Sequence, residues 1–374
     1  MAQHLPKINV LRGVAILLVF GYHALLVLFG EFEIYDFKPS WVWVDFSRYS
    51  LGRILLNMTP AGMGAQGVTL FLVISGFLIH WGYLKSGAGF RWSSFFNKRF
   101  WRIYPPYLVA LLLFSLSLGA GGKFSLLTHL TLTHNLFDRS SFTINPSFWS
   151  LALEVQLYLL YPVLLLLRRR LGMGRATLAL GLLSILTMST QLITQLPMRW
   201  VWLSPLNLWV VWALGAYLGE LFYYKKRFFT GSGYQLAGFY LLLTLTRITV
   251  LLVLHRMAFA VFFICLIDWY LHRPETAPGL VSEKLLRFMA PVGVYSYSIY
   301  LFHQPFLWDV LTFLRFGSTN KVVLMLTVGT SFGLFLGLAY CTYHLLELPS
   351  IRWGQRLYQR FGPPARIESP RSQE

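Results

Sequence analysis

The sequence predicts an all-α integral membrane protein, a polytopic transmembrane helical bundle of about ten spans with both termini cytoplasmic. Three observations predict it. Of 374 residues, 56% are hydrophobic and only 12% are charged, and the mean hydropathy is positive, which lies outside the range of soluble domains. Apolar runs close to the roughly 20 residues needed to cross a bilayer recur along the whole chain. Basic residues gather in alternate connecting segments, as a membrane topology requires.

The spans read as 8–30, 62–84, 104–120, 148–167, 176–196, 204–222, 234–254, 256–271, 288–310 and 321–345. One side of the bundle then holds Lys85, Arg91, Lys98, Arg99 and Arg102, the run Arg168 to Arg170 with Arg175, Lys225 to Arg227, Arg273, Lys284 and Arg287, and the tail from Arg352 to Arg371. By the positive-inside rule that side is the cytoplasm. The first span follows Lys7 without a small-residue cleavage site and is expected to be retained. The aromatic and basic stretch 90–107 reads as an interfacial amphipathic helix leading into the third span. Segment 31–60 reads as a partly ordered cap on the opposite side, and 123–147, too polar to span, as a re-entrant or capping segment. A two-residue turn with His255 and Arg256 is expected between the seventh and eighth spans. Residues 1–350 form one transmembrane domain, and 351–374 form a basic cytoplasmic tail expected to be disordered.

The formal charge of +18 is distributed by topology and contact with membrane lipids, so it gives no case for a nucleic-acid partner. Only two cysteines occur, Cys265 and Cys341, both within apolar runs, which excludes a disulfide framework and a zinc motif. His129 and His134 are five apart without a carboxylate at ligand spacing, so no metal is expected.

Ionisable residues inside spans mark function by default. Arg12 and His23 are eleven apart, three helical turns plus about 20°, so they share a face at depths about 16 Å apart. In SFWSLALEVQLYLLYP, residues 147–162, the polar side chains Ser147, Ser150, Glu154, Tyr158 and Tyr161 follow at intervals of three and four and form one stripe. Counting from the span ends puts Glu154 and His303 at nearly the depth of His23. A histidine held by a carboxylate is an effective general base, so His23 oriented by Glu154 is the candidate catalytic pair. Ser147, Trp149, Ser150, Tyr158 and His303 are the candidates for contact with the substrate. Arg99 and Arg102, three apart beside Trp101 and Tyr104, suit a phosphate-bearing ligand on the cytoplasmic side. The same His and Glu would also serve as the proton couple of a transporter or flippase for a glycan or small solute. Arg247, inside a span, needs a partner. The glycines of GMGAQG and VISGFLI fit close helix packing better than a phosphate loop.

Five segments in order, LRGVAILLVFGYH at 11–23, GVTLFLVISGFLI at 67–79, FFNKRFWRIYPPY at 95–107, SFWSLALEVQLYLLYP at 147–162 and GVYSYSIYLFHQP at 293–305, resemble the acyltransferase-3 family of membrane acyltransferases. The resemblance implies transfer of an acyl group, acetyl first among the candidates, from cytoplasmic acyl-CoA to a hydroxyl of a carbohydrate or lipid-linked glycan. It implies that Arg12 and His23 are essential, that Arg99 and Arg102 are the family's RxxR pair, and that Glu154 is the glutamate of its fourth-helix motif. With Arg12, Arg99 and Arg102 on the donor and no metal, the expected location is a cell membrane of the bacterial inner-membrane type.

Overall fold

A bilayer offers no water to unpaired backbone groups, so a chain this apolar must pair its amides within each segment. Helices do this throughout the computed structural model, which describes residues 6–30, 51–60, 62–118, 122–194, 199–245, 252–273 and 283–362. Among the described residues there is no strand, and seven helices are long and apolar enough to cross a membrane. In chain order the helices are α1 (Pro6–Phe29), α2 (Leu51–Met58), α3 (Gln66–Ser86), α4 (Trp92–Leu118), α5 (Gly122–Leu130), α6 (Phe148–Leu171) and α7 (Met173–Thr194). They continue with α8 (Arg199–Trp202), α9 (Pro205–Tyr223), α10 (Gly233–Leu245), α11 (Leu252–His272), α12 (Glu283–Leu314), α13 (Lys321–Thr342) and α14 (Leu348–Phe361). A five-residue π turn, Tyr343–Glu347, joins α13 to α14.

Register fixes how the helices run. Arg12 of α1 bonds Ser296 of α12 across 284 positions, and His23 pairs with His303 across 280. An offset this constant requires two helices pointing the same way. They approach closely because each carries glycine at the crossing: a Cβ at Gly293 would stand 1.7 Å from the Asn9 carbonyl oxygen, and one at Gly13 would stand 2.3 Å from that of Met289. Helices α3 and α9 are parallel in the same manner, with Gly76 against the Trp212 carbonyl and Gly215 against that of Val73. The VISGFLI glycine is thus a packing device.

The C-terminal halves of α3, α6 and α9 meet in a polar clamp. His80 Nε2 lies 3.0 Å from Glu220 Oε2, its Nδ1 lies 3.0 Å from the Tyr161 hydroxyl, and Arg168 donates to the same carboxylate. Lys7, at the start of α1, donates to the carbonyls of Tyr270 at 3.2 Å and Arg273 at 2.6 Å, where the end of α11 favours a cation. The segments bearing Lys85, Arg168 to Arg170 and Arg273 therefore share one end of the bundle, called the basic end below.

Several boundaries differ from expectation. The amphipathic stretch and the third span are one unbroken helix, α4, with Pro105 and Pro106 inside it. The hydroxyls of Tyr104 and Tyr107 tie it to α5 by donating to the Leu130 and His129 carbonyls at 3.0 and 2.9 Å. His255 and Arg256 lie within α11 rather than in a turn. Arg256 is satisfied inside the bundle by the Trp202 carbonyl at 3.2 Å, so its charge does not force a break. Arg247 and the far-side segment 31–50 lie outside the described residues. The expected disorder after residue 350 is corrected for 351–361, which belong to α14. That helix is clasped to α4: Asn97 Nδ2 donates to the Gly354 carbonyl at 3.0 Å, Ser93 Oγ and the Tyr358 hydroxyl are 2.9 Å apart, and Ser350 donates to the Trp101 carbonyl.

The capping segment dips into the bundle. Ser140, Ser141 and Asn145 are fully buried, and Asn145 Nδ2 donates to the Leu301 carbonyl in the middle of α12 at 3.1 Å. Helix α6 consequently starts level with that point instead of at the membrane surface. Within the cap, His129 and His134 stack with ring centroids 3.8 Å apart and planes 4° from parallel. Burial, reinforced by His129, pushes His134 down to about 3.

Two outcomes follow from these contacts. Gly293→Val is expected to destabilise the bundle by about 3 kcal/mol and to lower the thermal midpoint in detergent, whereas Gly329→Ala, which meets nothing within 4 Å, leaves the midpoint unchanged or slightly raised. The unfolded chain binds a proton at His134 below about pH 6.5 that the native chain refuses down to about 3. Stability contributed by His134 is therefore complete above pH 6.5 and falls on acidification through that window, by up to about 1.4 kcal/mol per pH unit. A His134→Leu variant should flatten this acid limb in a midpoint-against-pH series.

Candidate active site

The stripe on α6 faces the interior, as its spacing requires: Ser147, Ser150, Tyr158 and Tyr161 are all buried. One cavity is built around it and a second lies beyond its start. The inner one, of about 110 Å³, lies between α1, α3, α4, α6 and α12 toward the basic end. Its charged lining is Arg12, Arg99, Arg102 and Glu154, set in a wall of Phe71, Ile74, Leu78 and Ile103.

Each polar group there is held from a different helix. Arg12 Nη2 donates to Ser296 Oγ at 3.0 Å, which donates in turn to the Gly293 carbonyl at 2.9 Å. Glu154 accepts from Ser75 Oγ at 2.9 Å and from the Tyr158 hydroxyl. The Arg99 guanidinium sits 5.5 Å from the Tyr158 ring centre and 5.8 Å from that of Phe95, and its Nε is buried without a hydrogen-bond partner. Glu347, in the π turn and 2% exposed, accepts from Ser298 Oγ at 3.1 Å and lies in the field of Arg102 and Arg12. Among the described residues, three guanidinium groups meet two carboxylates. The surplus charge and the unpaired Arg99 Nε are chemically suited to an anion.

The outer cavity, of about 610 Å³, opens at the opposite end between α1, α12 and the cap. Its polar lining is His23, Thr143 and Gln304. His23 Nδ1 lies 2.9 Å from His303 Nε2, while His303 Nδ1 faces the carbonyl oxygens of Tyr300 and Ile299 at 3.0 and 3.1 Å. Carbonyls only accept, so His303 Nδ1 carries a proton, and in the neutral ring its Nε2 is an acceptor. His23 must then donate from Nδ1. Its Nε2 is left unprotonated, as a general base requires.

A string of hydrogen bonds separates the cavities. Ser150 Oγ donates to the Tyr300 hydroxyl at 2.6 Å, Tyr300 donates to the Ser147 carbonyl at 2.9 Å, and Ser147 Oγ donates to Gln304. Ser150 and Tyr300 line the inner cavity and Gln304 lines the outer one.

The structure thus brings Arg12, Arg99, Arg102, Glu154, Ser150 and Tyr158 together as one group, and His23 with His303 and Gln304 as another. It does not pair His23 with Glu154. The cause is the sunken start of α6: Glu154, seven residues beyond Ser147, is about 10 Å deeper and reaches the level of Arg12. Trp149 lines neither cavity and packs under Arg256, 5.8 Å from its ring centre. Ser75, Ser296 and Glu347 were not singled out from the sequence. Glu347, a lone carboxylate in an apolar run before Pro349, carried a usable signal; two serines among many did not.

A chamber lined by arginines and a pair of imidazoles thus lie one beyond the other along α1 and α12. The sequence pattern of the acyltransferase domain family matches residues 5–344, and the chain belongs to the acyltransferase-3 family. It is therefore a multi-pass membrane protein of that family. Nodulation protein 10 of Rhizobium leguminosarum bv. viciae is 28% identical over 169 residues, 39% of this chain and 44% of that protein. Acyltransferase MdmB of Streptomyces mycarofaciens is 28% identical over 182 residues, 46% of this chain and 42% of that one. Regulator of hypoxia-inducible factor 1 of Caenorhabditis elegans is 31% identical over 180 residues, 44% and 34% of the two chains. Each match thus spans less than half of the relative's length. No solved structure matches.

Inorganic pyrophosphate is expected to bind the detergent-solubilised protein with an affinity that falls as salt rises. Arg102→Gln should weaken that binding by about tenfold, whereas Arg175→Gln, on an exposed part of α7, should not; isothermal titration reads both.

Proposed function

We propose that this protein moves an acyl group from cytoplasmic acyl-CoA to a hydroxyl of a carbohydrate or lipid-linked glycan on the other side of the membrane. The observation that carries the reading is the pair of cavities on α1 and α12, cationic at the basic end and floored by His23 at the other. The family supports acyl transfer, and one relative is named an acyltransferase. This direction of transfer goes with the expected placement of both termini on the cytoplasmic side of a bacterial-type inner membrane.

In this mechanism Arg99 and Arg102 hold the phosphates of CoA, and Arg12 guides the pantetheine arm along α1. The Ser150–Tyr300 hydrogen bond must open for the thioester to reach His23. There, His23 Nε2 takes the proton of the acceptor hydroxyl as its oxygen attacks the thioester carbon. The new C–O bond replaces the C–S bond, and the departing thiolate takes the proton back from His23. His303 fixes the His23 tautomer, the task first assigned to Glu154. Glu154, bound to Ser75 and Tyr158, shapes the donor cavity instead.

Membranes containing the protein, given radiolabelled acetyl-CoA, should transfer label to a glycan as an alkali-labile ester. His23→Ala is expected to lower kcat by about a thousandfold and His303→Phe by about tenfold or more, both with the acetyl-CoA KM unchanged. Arg99→Gln should raise that KM. Full transfer activity in the His23→Ala protein would sink the proposal.

A further inference from the structure

The two cavities differ in charge. The inner one carries three arginines, but no aspartate, glutamate, lysine or arginine lines the outer one among the described residues. Beyond His23, Thr143 and Gln304 its wall is apolar, from the outer turns of α1, the far half of α12 and the cap. Two aromatic side chains stand free at it, Trp308 at 59% exposure and Phe142 at 43%. Trp308 is followed on the same part of the chain by two further exposed aromatics, Phe313 and Phe316.

The cap side of the cavity is built with strain. Ile144, a β-branched residue in the cavity wall, has a backbone φ of +62°, a conformation such side chains avoid. Asn145 beside it holds the chain there, donating to the Leu301 carbonyl and accepting from the Ser147 amide at 3.0 Å. The wall opposite His23 is thereby fixed in place.

A ligand with ionised groups would lose hydration in this cavity and gain no counter-charge from the described residues. A free sugar could stack on one aromatic face but would leave most of the apolar wall uncovered. A pocket that is mostly apolar with a few convergent polar groups selects an amphiphile and orients it by its polar end. We infer that the outer cavity is the acceptor site and that it takes an uncharged amphiphile: a neutral sugar-type headgroup, its hydroxyl at His23 and Gln304, on an apolar body lying along Trp308 and Phe142. The inference rests on the acyl-transfer reading above and adds the class of acceptor to it.

The test uses the whole protein in phosphatidylcholine nanodiscs, free of glycoside detergent, with radiolabelled acetyl-CoA and three acceptors at equal concentration: octyl glucoside, glucose and octyl glucuronide. Octyl glucoside should be labelled at least tenfold faster than either of the others. Trp308→Ala, an exposed substitution, should raise the KM for octyl glucoside at least fivefold and leave the KM for acetyl-CoA unchanged. Equal labelling of glucose or of octyl glucuronide would overturn the assignment. So would a Trp308→Ala protein with both constants unchanged, or transfer to native membrane glycans with none to octyl glucoside; these results leave acyl transfer standing. If acetyl-CoA is consumed with no acceptor at all, native membranes included, the acyl-transfer reading falls as well.

Discussion

The close parallel crossing of α1 and α12 is the constraint on which the site depends. With glycine on both sides, backbone meets backbone at Gly13 and Gly293, and the register of one helix on the other is set. Everything useful on α1 then finds its partner on α12: Arg12 meets Ser296 near the crossing, and His23 meets His303 further along. A side chain at either glycine would part the helices and spoil both contacts together. The eleven-residue spacing of Arg12 and His23 thus becomes a fixed distance between the inner and the outer chamber.

Charge is segregated along that pair of helices. The inner chamber concentrates guanidinium groups in an apolar surrounding, which is tolerable because Glu154 and Glu347 stand among them and hydroxyls from α3, α6 and α12 hold both carboxylates and Arg12. The outer chamber instead pairs two imidazoles, His23 on His303, with His303 oriented by the carbonyls of Tyr300 and Ile299. Between them lie hydroxyl and amide groups that form and break hydrogen bonds without moving charge.

Much of this was legible because it was local. The stripe on α6, the shared face of Arg12 and His23, the packing role of Gly76 and the family resemblance all came from spacing along a helix or from contiguous motifs. Depth was not legible. Counting from the end of an apolar run assumes that the run starts at the membrane surface, and α6 starts well inside because the cap carries Asn145 down to Leu301. That displacement moved Glu154 from the level of His23 to the level of Arg12. His255 and Arg256 misled in the opposite way, since polar residues suggest a turn only until a distant carbonyl such as that of Trp202 satisfies them. Helix α14 read as tail because its basic composition is visible in sequence, whereas its clasp on α4 involves residues some 250 positions away.

That clasp bears on how the enzyme comes into being. Helix α4, which carries Arg99 and Arg102, is made early, but its braces on α14 and the neighbouring Glu347 and Ser296 belong to the last third of the chain. A ribosome delivers the N-terminal part first. The three arginines therefore cannot be gathered around one chamber until α12 and α14 have been made.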